Sequence, residues 1–166
     1  MQSFQPAQLA ALGRIHGPDE ARNAVAMARD AGFDNLNLDL MFGLPWQTQE
    51  LAQQDVSAAL EQRPEHISYY QLTLEPNTLF HQEPPQLPDA DLIWEIQERG
   101  QELLAQRGYR QYEVSAYARG SHRCRHNLNY WRFGDYLGIG PGAHGKISSS
   151  SGEVQQIGRA SCRERV

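Results

Sequence analysis

The amino-acid sequence predicts an α/β fold in which βα units build a parallel sheet or an open barrel. Three observations predict it. Helical and strand periodicities alternate along residues 18–107 in the order helix, strand, helix, strand, helix. Both strands in that series alternate with period two. One face of each strand is polar, whereas parallel strands buried on both faces read as continuous apolar runs. A polar face lining a barrel interior or a ligand cleft accounts for that departure. An antiparallel sheet with one wet face also would, but the intervening helices speak against it.

The first helix spans 18–31. Pro18 suits the first helical position, and Asp19 and Glu20 complement the positive end of the helix dipole. Ala21, Ala24, Val25 and Ala28 recur at helical spacing, and Gly32 stops the helix. In the strand from Asn35 to Phe42, Leu36, Leu38, Leu40 and Phe42 share one face, and Asn35, Asn37, Asp39 and Met41 the other. Gly43-Leu44-Pro45 ends it. Thr48 can cap a second helix running to about Glu61, with Ala52, Val56, Ala59 and Leu60 on one side. The second strand runs from His66 to about Leu74, with Ile67, Tyr69, Gln71 and Thr73 on one face. The stretch Glu75 to Pro88 carries four prolines and reads as a loop. A long helix follows from Asp89 to Arg107, with Ile93, Ile96, Leu103 and Leu104 inward and Gly108 at its end. Beyond Gly108 the pattern turns to short strands and turns rich in aromatics and glycine.

The chain has 166 residues, 40% hydrophobic and 21% charged, near the size of one domain and apolar enough for a core. A net charge of −5 argues against nonspecific nucleic-acid binding. No apolar run approaches membrane-spanning length and no signal peptide opens the chain, so a cytoplasmic location is expected. The two cysteines, Cys124 and Cys162, form no metal-ligand cluster. The last residues, 157–166, change character abruptly and resemble a translated sequencing adapter, so they are expected to carry neither fold nor function.

Several residues could carry chemistry. Asp39 sits near the C-terminal end of its strand, the edge where ligands bind in barrels and open α/β sheets. There it reads either as an acceptor for hydroxyl or ammonium groups or as a solvent-facing Asp. Arg14, in the loop Leu12-Gly13-Arg14-Ile15-His16, reads on its own as a surface Arg, though a guanidinium can clamp a carboxylate through two parallel hydrogen bonds. Gln71 and Thr73, on the face of Tyr69, read as cavity residues or as ordinary half-buried strand polarity. His122, Cys124 and His126 are too few and too irregular for a structural zinc site. His126-Asn127-Leu128-Asn129-Tyr130-Trp131 reads alone as a structural His with core aromatics, although an imidazole can also ligate heme iron. The glycine-dense run Gly138 to Lys146 matches neither a phosphate loop nor a dinucleotide fingerprint.

Taken in order, these residues resemble a known family. Gln2-Ser3-Phe4, Leu12 to His16, Asn37 to Thr48, His66-Ile67-Ser68, Leu72 to Thr78 and Gly108-Tyr109 follow the pattern of the oxygen-independent coproporphyrinogen oxidase superfamily. Tyr112 to Ala118, His126 to Trp131 and Tyr136 to Gly140 are similar to its HemW-type heme chaperone branch in particular. The resemblance covers Gln2 to about Lys146. It implies the C-terminal part of a partial βα radical S-adenosylmethionine barrel over 1–107, followed by a small α+β region over 108–156. It further implies that Gln2, Arg14 and Asp39 contact S-adenosylmethionine, that the backbone at Thr73 approaches it, and that His126 lies in a heme-associated motif. The full-length protein is then expected to bind a 4Fe–4S cluster, S-adenosylmethionine and heme, and to deliver heme to acceptor proteins. One departure matters: the family's CxxxCxxC cluster motif does not occur in this sequence. The chain by itself is therefore expected to be inactive. Two other readings stay open. One is an oxidase that decarboxylates coproporphyrinogen III to protoporphyrinogen IX, and the other is an unrelated α/β binding domain.

Overall fold

A computed structural model describes residues 1–140, 143–149 and 152–157. The adapter-like tail beyond Ile157, Cys162 within it, and Pro141 and Gly142 of the glycine-dense run lie outside the described residues. Two compact units divide between Arg123 and Cys124. The first contains α1 (Pro6–Ala11), α2 (Pro18–Asp30), β1 (Asn37–Phe42), α3 (Gln49–Glu61), β2 (His66–Gln71), α4 (Leu79–Gln82), α5 (Ala90–Gln106), β3 (Tyr109–Gln111) and β4 (Ala116–Arg119). The second contains α6 (Arg125–Trp131), β5 (Gly145–Ser148) and β6 (Val154–Ile157).

The helix ends follow from local chemistry. The Glu20 carboxylate accepts the Gly17 N–H at the start of α2 (3.0 Å). Thr48 Oγ1 accepts the Leu51 N–H at the start of α3 (3.3 Å), and Asp89 accepts the Leu92 N–H at the start of α5 (2.8 Å). The strand β1 ends at Gly43, whose φ of +68° suits a residue without a Cβ. Two helices were not legible in the periodicity. Pro6–Ala11 is too short to display a stripe, and Arg125–Trp131 is built from asparagines and aromatics of weak helix propensity. The strand predicted to reach Leu74 stops at Gln71, and the proline-rich loop contains the single turn α4.

The main sheet has the order β1-β2-β4-β3. Strands β1 and β2 pair in parallel, with Asn37 opposite His66 and Asp39 opposite Ser68. Helix α3 makes the crossover, as a parallel pair requires. The hairpin β3–β4 then adds two antiparallel strands, because so short a connection can return only antiparallel. The sheet is therefore mixed rather than wholly parallel. On one face α3 and α5 bury Leu38, Leu40, Phe42, Ile67 and Tyr69 against Val56, Ala59, Ile96 and Leu104. Of the stripe predicted on α2, Ala21 and Val25 join this core. All four stripe residues, with Met1, Leu36 and Leu38, line an open cavity of about 380 Å³.

Two polar ties hold the ends of this unit. Met41 N–H donates to the Gln2 carbonyl (2.9 Å), which lays the N-terminal segment beside β1. Arg29 donates to both oxygens of Glu65 (2.8 and 3.0 Å), which also accepts the Leu36 N–H (2.9 Å). Burial pushes the Glu65 carboxyl up, but the Leu36 N–H and the Arg29 guanidinium outweigh it and leave the group below its ordinary range. Glu65→Ala is expected to cost about 2 kcal/mol, read as a lower urea midpoint, because the Leu36 N–H loses its acceptor and Arg29 keeps only the Phe33 and Arg63 carbonyls.

Candidate functional site

Strand β1 has the polar face predicted for it, whereas β2 presents its polar face on the side of Ser68 and Tyr70 rather than on the predicted side of Gln71 and Thr73. Asn37 and Asp39 project from β1, with Ser68 and Tyr70 from the same side of β2. Three of the predicted residues act on the Tyr70 phenol. It feels the Gln2 carboxamide and the charges of Asp39 and Arg14. Burial foremost, and then the Asp39 charge, raise its pKa, while Gln2 and Arg14 oppose them. Gln2 reaches this place because its carbonyl is hydrogen-bonded to β1. Arg14 reaches it because α1 turns the chain back, with the Arg14 N–H on the Leu9 carbonyl (2.9 Å). A carboxylate, a guanidinium and a carboxamide thus act on one phenol. That set can grip a ligand carrying a carboxylate together with ammonium or hydroxyl donors.

Tyr70 was missed by sequence reasoning, which looked for cavity residues on the opposite face of its strand. Tyr69 is buried against Phe42, with ring centroids 4.6 Å apart, so the face it shares with Ile67 is core. Its neighbour Gln71 lies beside Gly43 and Ile93. Thr73 stands beyond the end of β2, exposed, with its hydroxyl donating to Glu75 (2.8 Å). It lines a separate opening of about 440 Å³ with Ala10, Leu12, Gly13 and Phe80. Gln2, Arg14 and Asp39 all act on the Tyr70 phenol, and Thr73 lines its opening beside Leu12 and Gly13 of the loop that carries Arg14.

A chain of polar contacts extends from Asp39. The Asn37 amide donates to the Asp39 carboxylate (2.9 Å), and Ser68 Oγ donates to Asn37 Oδ1 (3.1 Å). His66, buried at the start of β2, places Nδ1 2.6 Å from Asn37 Oδ1 and Nε2 2.6 Å from the Tyr112 hydroxyl. Burial lowers the His66 pKa, partly countered by Glu113 and Asp39.

The second unit carries the other candidate residue. His126 is exposed on α6, its ring edge-on to Tyr136 with centroids 6.1 Å apart, and Tyr136 in turn meets Tyr130 at 6.1 Å. These three, with Leu137, Gly138 and His144, line an open cavity of about 470 Å³. His144 was not singled out from the sequence. The signal for it is spatial: any Cβ on Gly138 would strike the His144 carbonyl, so this glycine admits that segment to the cavity wall. Among the described residues no group of three or more His, Cys, Asp or Glu side chains could hold a metal ion. With two cysteines in all, the chain does not fit an iron–sulfur cluster held by three thiolates.

No family model matches the chain. It is 54% identical over 159 residues to the heme chaperone HemW of Haemophilus influenzae, covering 96% of this chain and 42% of that protein. To the heme chaperone HemW of Escherichia coli it is 55% identical over 154 residues, covering 93% of this chain and 41% of that one. It thus spans about two fifths of the length of these curated relatives. A mouse mitochondrial protein, radical S-adenosyl methionine domain-containing protein 1, is 42% identical over 151 residues, or 89% of the chain and 34% of that protein. Among solved structures, the radical SAM enzyme coproporphyrinogen III oxidase (HemN) of Escherichia coli superposes with a TM-score of 0.73 at 22% identity, over 87% of this chain and 37% of that one. That likeness establishes the fold. With that fold, more than half of the chain's residues are identical to two heme chaperone HemW proteins along nearly all its length, so it is similar to HemW proteins over about two fifths of their own length.

Proposed function

We propose that this chain is part of a heme chaperone, a protein that binds heme and hands it to heme-accepting proteins. The observation that carries the reading is the 54–55% identity to proteins named heme chaperones. The cavity of His126, Tyr130, Tyr136 and His144 supports it: an exposed imidazole can take the axial position of heme iron, and phenol rings offer flat apolar surface to a porphyrin. In this reading His126 is the heme ligand. Gln2, Arg14 and Asp39, with the backbone at Thr73, hold S-adenosylmethionine. Their donor set suits it: Arg14 for its carboxylate, Asp39 and Gln2 for its ammonium and hydroxyl groups. When bound, S-adenosylmethionine supplies the radical chemistry of this fold group. The 4Fe–4S cluster is assigned to sequence outside this chain, and no step is derived through it. In this reading the protein works in the cytoplasm. Among the described residues no helix is long and apolar enough to cross a membrane.

The test uses the whole protein that carries this chain, reconstituted with iron and sulfide. Heme is titrated by absorbance, and in parallel coproporphyrinogen conversion is assayed anaerobically with S-adenosylmethionine. The expected result is stoichiometric heme binding without conversion. His126→Ala should weaken heme binding by about tenfold or more, equivalent to about 1.4 kcal/mol. Conversion to protoporphyrinogen would sink the chaperone reading and install the oxidase. Unchanged heme affinity in His126→Ala would remove His126 as the ligand.

A further inference from the structure

We infer that His66 is a positioning residue, held as the Nδ1–H tautomer, which through Asn37 orients the Asp39 carboxylate toward its ligand. The argument starts at Asp39. A carboxylate only accepts hydrogen bonds, so the group of Asn37 facing it at 2.9 Å is the amide NH2. The Asn37 oxygen therefore points the other way, toward Ser68 Oγ at 3.1 Å and His66 Nδ1 at 2.6 Å. An amide oxygen cannot donate, so His66 Nδ1 carries the hydrogen, and Ser68 and His66 together fill both lone pairs of that oxygen. Asp39 thereby dictates the amide orientation, and the amide dictates the imidazole tautomer.

The far end of the chain completes the ring. In the neutral imidazole Nε2 is an acceptor, and the Tyr112 hydroxyl donates to it across 2.6 Å. Tyr112 meets the ring edge-on, with centroids 5.5 Å apart. His66 is 4% exposed, so both of its nitrogens need partners, and both have them. The strand register makes the arrangement possible. Asn37 lies directly opposite His66 and Asp39 opposite Ser68, so all four side chains share one face. Asn37 itself is exposed and would turn freely without this network. The buried imidazole is the fixed point, and it passes its rigidity two residues along β1 to a carboxylate at the ligand face.

The inference rests on the reading of Asp39 as a contact of S-adenosylmethionine, and the experiment separates the two. In the whole protein, 15N NMR of the His66 ring reads the tautomer without any ligand. Nδ1 protonated and Nε2 bare is expected near neutral pH, and Asp39→Ala should release that preference. A ring protonated at Nε2 alone overturns the inference whatever the ligand does. Equilibrium dialysis with S-adenosylmethionine reads the consequence. His66→Ala and Asn37→Ala should each weaken binding about tenfold. His66→Asn should recover most of the loss, because its amide can restore a donor to Asn37, which a merely space-filling role for His66 would not require. Should His66→Ala fail to fold, Asn37→Ala at its exposed position carries the same test. If Asp39→Ala loses affinity while Asn37→Ala and His66→Ala keep it, the positioning role is overturned. If Asp39→Ala itself keeps full affinity, the ligand assignment of Asp39 is what has failed and the positioning role falls with it, even where the tautomer is as expected.

Discussion

Gly100→Ala is expected to destabilise the first unit by about 2 kcal/mol, although alanine is the better helix former. A Cβ built on Gly100 in α5 would stand 2.5 Å from both Cε1 and the hydroxyl oxygen of Tyr69. The Tyr69 ring cannot easily retreat. It packs on Phe42 with centroids 4.6 Å apart, meets Tyr117 at 6.4 Å, and its hydroxyl donates to the Ile96 carbonyl at 3.4 Å. Overpacking a core in this way costs up to about 3 kcal/mol. The gain in helix propensity from Gly to Ala returns about 1 kcal/mol. Urea denaturation reads the difference. The double variant Gly100→Ala with Tyr69→Leu should recover part of the loss relative to Tyr69→Leu alone, since the ring that meets the methyl is gone. A Gly100→Ala chain as stable as the original would mean that the ring and the helix are not in contact.

Asp55 gives the largest expected dependence on pH. It is buried in α3, where it accepts the Ser3 hydroxyl and the Phe4 N–H, each at 2.6 Å. Burial lifts its pKa from 3.8 to about 6, against the opposing pull of those hydrogen bonds. A carboxyl whose pKa is raised on folding stabilises the fold fully below the unfolded value, and that contribution is lost as pH rises through the folded one. The window here runs from about 4 to about 6. Across it the group's contribution falls by about 3 kcal/mol, at about 1.4 kcal/mol for each pKa unit. Asp55→Asn keeps an acceptor for Phe4 and offers a donor to Ser3 without a charge. It should therefore be more stable than the original chain at pH 7, with the advantage fading as pH is lowered toward 4. Asp55→Ala leaves the buried Phe4 N–H and Ser3 hydroxyl without that acceptor and should be less stable at both pH values. Thermal melts of the three chains between pH 4 and 7 check this, and taking differences between variants cancels the opposite trend of Glu65. Parallel curves for Asp55→Asn and the original chain would show that Asp55 does not titrate in that range.

Asp55 also shows how strength and function meet in this fold. The same carboxylate ties down Ser3 and Phe4, the residues next to Gln2. Loosening it releases the segment that brings the Gln2 side chain to Tyr70. The stability of the N-terminal segment and the shape of the ligand face therefore depend on one buried group.

The sequence by itself determined what is local. The period of α2, α3 and α5, their caps at Thr48 and Asp89, and the two-faced strand at Asn37 to Phe42 all arise from neighbours a few residues apart. The ordered motifs added the resemblance to HemW proteins and three of the residues that act on the phenol. What only the tertiary structure decided depends on groups far apart in the chain. Period two says that Tyr69 and Tyr70 face opposite ways, but not which way is in; the helices packed on Tyr69 settle that and leave Tyr70 for the ligand face. The glycine at position 100 reads in the sequence as a weak helix residue, and only the ring 31 positions earlier in the chain explains it. His66, Asn37 and Tyr112 share no motif spacing, and they become one hydrogen-bonded chain because strand register and a returning hairpin bring them within 2.6 Å. Local pattern fixes which elements form and which side of each is polar, whereas the identity of the partner across the sheet depends on how the elements pack.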